Sequence, residues 1–218
     1  MQILTRALLF DMDGTAINSN PVVEAMWQRF CEPRGIDLKE LLKFSHGRLA
    51  KATLEKYMPE ATEEELLHQE HELLQWEKTA NEGVSPIPGV PEVLARVEQL
   101  GIPWALVTSA VEILARTRFQ ITGLPWPKVA VTAERVELGK PDPACYLAAA
   151  KELRIPASQC LVFEDAGPGV AAGLAAGAQV VVVGHDYSEP TRGLPRIEDF
   201  HHVRVNPATR QGWFEIDV

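Results

Sequence analysis

From Val90 to Val183 the chain alternates between two patterns. Short apolar runs ended by turn residues trade places with stretches whose apolar residues recur at helical spacing. The pattern predicts helices near Val90–Leu100, Val111–Ile121, Pro143–Leu153 and Gly167–Ala176. It predicts strands at Trp104–Thr108, Val129–Thr132, Cys160–Phe163 and Gln179–Val183. Parallel neighbours in a sheet need a crossover between them, so this alternation specifies an α/β architecture with a mainly parallel sheet and helices on both faces. Leu4–Phe10 is nearly continuously apolar, as a strand buried on both faces must be, and is expected to be the first strand.

Between that strand and Pro88 the character changes. From Pro21 to about Ala80 apolar residues recur at helical spacing (Met26, Trp27, Phe30; Leu49, Thr53, Leu54; Leu66, Leu67, Leu73, Leu74), with no strand-like run. Ser85-Pro86-Ile87-Pro88-Gly89 punctuates its end. The expected organisation is a core of residues 1–15 and 83–218 with a helical-bundle insert at 16–82. Because the insert leaves the sheet where the first strand ends, it lies at the carboxyl edge, where open α/β sheets bind ligands; it is a candidate lid. The tail beyond Gly184 carries three prolines and shows no regular pattern.

Polar groups stand just after four of the strand-like runs: Asp11 with Asp13, Thr108 with Ser109, Lys140, and Glu164 with Asp165. A parallel sheet gathers all its carboxyl ends on one edge, so these groups should converge. Asp11 and Asp13, two apart on extended chain, point the same way. Two unit charges ~4 Å apart interact by about 4 kcal/mol at an effective dielectric near 20, so converging carboxylates call for a cation. All-oxygen ligands favour a hard ion, naturally Mg²⁺. Lys140, held in the tight Gly139-Lys140-Pro141-Asp142-Pro143 loop, would neutralise carboxylate and phosphate charge. Thr108 and Ser109, between a strand and a helix, read as N-caps and equally as a phosphate site.

Phe10-Asp11-Met12-Asp13-Gly14-Thr15, Val107-Thr108-Ser109, Gly139-Lys140-Pro141 and Glu164-Asp165 occur in the order of the motifs of the haloacid dehalogenase (HAD) superfamily. The chain resembles its beta-phosphoglucomutase-like branch with a small helical cap, over about Leu4–Val183. The resemblance implies a Rossmann-like core. It implies that Asp11 attacks phosphorus to form an aspartyl-phosphate, and that Asp13 protonates the leaving oxygen and then activates water. Asp11, the Asp13 carbonyl and Asp165 would hold Mg²⁺ with Glu164 close by, Thr108 and Ser109 would hold phosphate oxygens, and Lys140 would stabilise charge. Asp13 also favours phosphate chemistry over dehalogenation, since a halide needs no proton and an alkoxide does. Ala16 and Asn18 depart from the family's usual bulky apolar residue and Asp.

His46-Gly47-Arg48, between helical stretches of the insert, would on its own be read as a solvated connection. It is similar to a cap loop of sugar- and polyol-phosphate phosphatases, which implies that His46 and Arg48 meet substrate hydroxyls. The expected activity is hydrolysis of hexose and pentose phosphates. The alternatives are a phosphosugar mutase sharing every core residue, and a non-enzymatic phosphate-binding or regulatory module. Thirty acidic against 21 basic residues, a net charge of −9, argue against nucleic acid as a partner. The apolar run before Asp11 is too short to span a membrane. Three cysteines at unpatterned spacing (Cys31, Cys145, Cys160) read as buried thiols of a cytoplasmic protein. A monomer acting on a small phosphorylated molecule is expected.

Overall fold

The computed structural model describes residues 1–218. Its elements are β1 (Gln2–Thr5), β2 (Ala7–Phe10), β3 (Ile17–Asn18), α1 (Asn20–Cys31), α2 (Leu38–Ser45), α3 (Ala50–Tyr57), α4 (Glu63–Thr79), β4 (Ser85–Pro86), α5 (Val90–Gln99), β5 (Trp104–Val107), α6 (Glu112–Thr122), β6 (Val129–Val131), α7 (Ala144–Leu153), β7 (Cys160–Glu164), α8 (Gly167–Ala175), β8 (Gln179–Val183), β9 (Arg196–Ile197), β10 (Arg204–Pro207) and β11 (Phe214–Asp217). The central sheet has six parallel strands in the order β6-β5-β2-β7-β8-β9.

Side-chain alternation along these strands builds two cores. Leu8 and Phe10 of β2, Trp104 and Leu106 of β5, and Leu161 and Phe163 of β7 face one layer, covered by Val90, Val93, Leu94 and Val97 of α5 and by Ala115 and Phe119 of α6. Ala7 and Leu9, Ala105 and Val107, and Cys160 and Val162 face the other, covered by Tyr146, Ala149 and Ala150 of α7 and by Val170 and Ala172 of α8. Burial on both sides explains why these strands read as unbroken apolar runs. Each fully buried large apolar side chain contributes about 1.5–3 kcal/mol. Strand order reverses beside β2, between the branches that run out through β5 and through β7. The crevice outside the carboxyl ends of these strands is where such sheets take ligands.

The stretch between β2 and α5 forms four helices around a core of its own: Met26, Trp27, Phe30, Cys31, Leu41, Leu54 and Leu73. Asp37 caps α2 by accepting from the Glu40 N–H, and Thr62 and Glu65 form a reciprocal capping box on α4. The chain enters and leaves this bundle through β3 and β4, which pair antiparallel.

Two expectations are corrected. Leu4–Phe10 is two strands, broken at Arg6: the Thr5 hydroxyl bonds the carbonyls of Ala7 and Gln159, and the Arg6 N–H donates to Gln159. β1 alternates exposed and buried, with Leu4 outside and Ile3 inside. The tail is also regular: β9 extends the main sheet, while β10 and β11 join β1 in a separate antiparallel sheet. All three cysteines are buried free thiols, and no helix is long and apolar enough to cross a membrane.

Candidate active site

β2 stops at Phe10 because the next residues turn back on themselves. The Met12 carbonyl accepts from the N–H groups of Thr15, Ala16 and Ile17 at 3.3, 2.9 and 2.8 Å, and the buried Met12 side chain pins the turn into the core. The Asp11 N–H reaches across to the Phe163 carbonyl of β7, so the two strand ends are fixed to each other. Gly14 sits at φ 84°, and a Cβ there would lie 2.1 Å from Asp165 Oδ2. Only glycine lets the turn lie against that carboxylate.

Lys140 is the hub. Its side chain is 2% exposed, and Nζ donates to Asp11 Oδ1 at 2.5 Å, Glu164 Oε1 at 2.6 Å and the Val107 carbonyl at 3.2 Å. Those three bonds use all its protons. Burial alone would lower its pKa, but Asp11 and Glu164 together raise it, so it stays an ammonium. Glu164 is fully engaged: Oε1 also accepts from the Tyr146 hydroxyl at 2.8 Å, and Oε2 from the N–H groups of Asp165 and Ala166. A Cβ at Gly169 would fall 1.7 Å from Glu164 Oε1, so the first turn of α8 must be side-chain-free to admit that carboxylate.

Asp11, Glu164 and Asp165 offer carboxylate oxygens all within 4.8 Å of one another. Burial first, then repulsion from Glu164, pushes Asp11 up to about 7 against the pull of Lys140. Burial, with Asp11 and Glu164, raises Asp165 well above the usual carboxylate range. Three carboxylates against one ammonium leave a negative surplus. A cation would remove that surplus and return Asp11 to the ionised form a nucleophile needs. The donors are oxygens only, with no His or Cys among them, so the cluster fits a hard divalent ion such as Mg²⁺.

Asp13 is not one of these three carboxylates, and its partners are different. Its Oδ1 accepts from the Ser19 hydroxyl at 2.5 Å and from Arg118 Nη1 at 2.7 Å. Thr108 is buried at the end of β5, and its Oγ1 accepts from the Ala110 N–H. Neither Thr108 nor Ser109 caps α6, which begins at Glu112 with its N–H held by the Glu134 carboxylate. Ser109 Oγ instead donates to the Gly47 carbonyl at 3.0 Å, so the insert's loop touches the sheet edge directly. His46 lines a cleft of about 720 Å³ together with Gly14, Asn18, Lys43, Asp165, His185 and Asp186. Arg48 does not line it; its guanidinium lies 4.7 Å from the Phe44 ring centre, with Nε buried and unpartnered. A groove of about 540 Å³ between α5 and β10 contains none of these groups.

Sequence reasoning passed over Arg118, Tyr146 and Ser19. The signal for Arg118 was available. It shares the apolar face of α6 with Leu114, Ala115 and Phe119, and a charge there needs a buried partner.

A family model for haloacid dehalogenase-like hydrolases matches residues 5–177. The chain belongs to the HAD-like hydrolase family. Among curated relatives of this HAD-like hydrolase, hexitol phosphatase A of Escherichia coli is 42% identical over 178 residues, 82% of each chain. The 2-deoxyglucose-6-phosphate phosphatase 2 of Saccharomyces cerevisiae is 33% identical over 202 residues, covering 83% of this chain and 80% of its own. Among solved structures, a hydrolase from Pseudomonas syringae superposes with TM-score 0.79 at 26% identity, over 89% of this chain and 94% of the other. The beta-phosphoglucomutase of Clostridium difficile superposes with TM-score 0.80 over 90% and 92%; at 20% identity it speaks for the fold alone. The HAD-like hydrolase therefore has the α/β core its sequence implied.

Proposed function

We propose that this HAD-like hydrolase is a Mg²⁺-dependent phosphatase of small phosphorylated sugars and polyols, working through an aspartyl-phosphate. The observation that carries the reading is the buried Lys140 contact. It fixes Asp11 by Oδ1, just past the carboxyl end of β2, and leaves Oδ2 as the oxygen that attacks. The names of the two phosphatase relatives support the substrate class.

Asp11 attacks phosphorus as the ester bond to the sugar oxygen breaks, and that oxygen takes a proton from Asp13. Asp13 then removes a proton from water, which attacks phosphorus and releases inorganic phosphate with the Asp11 carboxylate. Lys140 offsets charge on the nucleophile throughout. Mg²⁺ held by Asp11, the Asp13 carbonyl and Asp165, with Glu164 beside it, would supply further neutralisation of the phosphoryl oxygens. Thr108 and Ser109 are assigned to those oxygens, and His46 and Arg48 to sugar hydroxyls. Residues 16–82 are assigned as a cap domain over a core of 1–15 and 83–218, in a cytoplasmic monomer.

Phosphate release from a panel of hexitol, hexose and pentose phosphates tests this reading. Release should cease in EDTA and return with Mg²⁺; full activity without metal removes the metal from the reading. Conversion to an isomeric sugar phosphate without free phosphate would mean a mutase instead. Arg48→Ala should lower kcat/KM for hexitol phosphate about tenfold, roughly 1.4 kcal/mol, and leave p-nitrophenyl phosphate nearly untouched. Equal losses on both esters would return Arg48 to a packing role against Phe44.

A further inference from the structure

Arg118 is 3% exposed in the middle of α6, yet no helix-surface partner holds it. Its guanidinium is divided between two carboxylates of different parts of the molecule. Nη1 donates to Asp13 Oδ1 and Nη2 to Glu77 Oε1, each at 2.7 Å. Glu77 belongs to α4, in the helical insert; Asp13 belongs to the turn after β2. Of the ion pairs in the chain, Arg118–Glu77 is the only one that joins residues 16–82 to the strands and helices beyond them. A buried guanidinium without both partners would be left with unpaired donors, so the geometry holds as a set.

We infer that Arg118 is a positioning residue for Asp13, and that Glu77 keeps it in position only while α4 lies against α6. Two donors, Ser19 and Arg118, converge on the same oxygen of Asp13. That fixes the carboxyl plane and leaves Oδ2 to meet the leaving oxygen or the attacking water. Fixing a proton-transfer group in direction matters because such transfer contributes about 10²–10⁴-fold and falls steeply with misalignment. The insert thereby takes part in acid–base chemistry without touching the substrate: withdrawal of α4 frees one side of the guanidinium and loosens Asp13. The inference rests on the phosphatase reading above.

Leaving-group dependence tests it. Departure of a hexitol alkoxide needs the proton of Asp13, whereas p-nitrophenolate leaves without one. Arg118→Lys, which keeps the charge but loses the two-pronged guanidinium, should lower kcat/KM for hexitol phosphate about 100-fold and for p-nitrophenyl phosphate less than about threefold. Glu77→Gln should move the same ratio in the same direction, by about tenfold. Equal losses on the two esters would make Arg118 a purely structural bridge. Should the wild type hydrolyse neither ester, it is the phosphatase reading that fails. Hydrogen exchange of the unliganded proteins then decides the latch independently. Glu77→Gln, which changes charge but little volume, should speed exchange in the last turn of α4 and across residues 12–19. Unchanged exchange in both segments overturns the inference.

Discussion

Asp11→Asn should abolish phosphate release, by about 10³-fold or more, while the protein stays folded. An amide is nearly isosteric with the carboxylate and still offers an oxygen to Lys140, but it is no nucleophile. Lys140 keeps Glu164 as its counter-charge. The fold should even gain in the absence of metal. Burial raises the folded pKa of Asp11 from 3.8 to about 7. The ionised carboxylate therefore costs stability as pH rises from about 4 through about 7, and the full cost is present above that range. In EDTA above about pH 7, the Asn variant should melt no lower than the wild type, and the difference should fade below about pH 4. Turnover retained in a phosphate-release assay would sink the nucleophile assignment; a melting temperature well below the wild type would sink the account of the buried charge.

Lys140→Met should do the opposite to stability. It removes the one cation among Asp11, Glu164 and Asp165 and leaves two buried carboxylates that had shared it. Breaking a buried pair by removing one partner costs about 3–5 kcal/mol, on the order of 10 °C in melting temperature for a chain of this size. Activity should fall at least about 100-fold, because charge on the nucleophile and the transferring group loses its nearest neutraliser. The destabilisation should be greatest above about pH 7, where Asp11 is ionised in the folded wild type, and shrink below it as Asp11 takes up a proton. Thermal melts across pH check this, and a Met variant that melts with the wild type would show that Lys140 contributes little to the fold.

The residues that became legible in sequence were those whose neighbours fix their place. Asp11 and Glu164–Asp165 stand at the ends of apolar runs that must be strands, and a parallel sheet leaves those ends no choice but one edge; Lys140 comes from the loop nine residues beyond β6. What stayed hidden depended on partners far along the chain. β1 and β2 look like one strand because apolar content does not record that Thr5 and Arg6 spend their bonds on Gln159. β10 and β11 are short, with β10 ending at Pro207, and only the pairing of β11 with both β1 and β10 makes them strands. Glu164 reads as a metal ligand by its place beside Asp165; the structure adds that Lys140, Tyr146 and two backbone N–H groups occupy it. Arg118 stands out only by its place on the apolar face of α6; its partners Asp13 and Glu77 lie 105 and 41 residues away and are not written there.

The Lys140–Asp11 contact closes 129 residues of chain, and the Thr15–Asp165 contact closes 150. Each such loop must be closed before its contact gives anything back, and chains dominated by distant pairings fold slowly. β2 also has β7 as a neighbour on one side, so the central strand is half-paired until residues 160–164 arrive. On refolding from denaturant, helical signal from α1–α4 should therefore return before any phosphate release does. Recovery of turnover then times the last topological event, the docking of β7 beside β2.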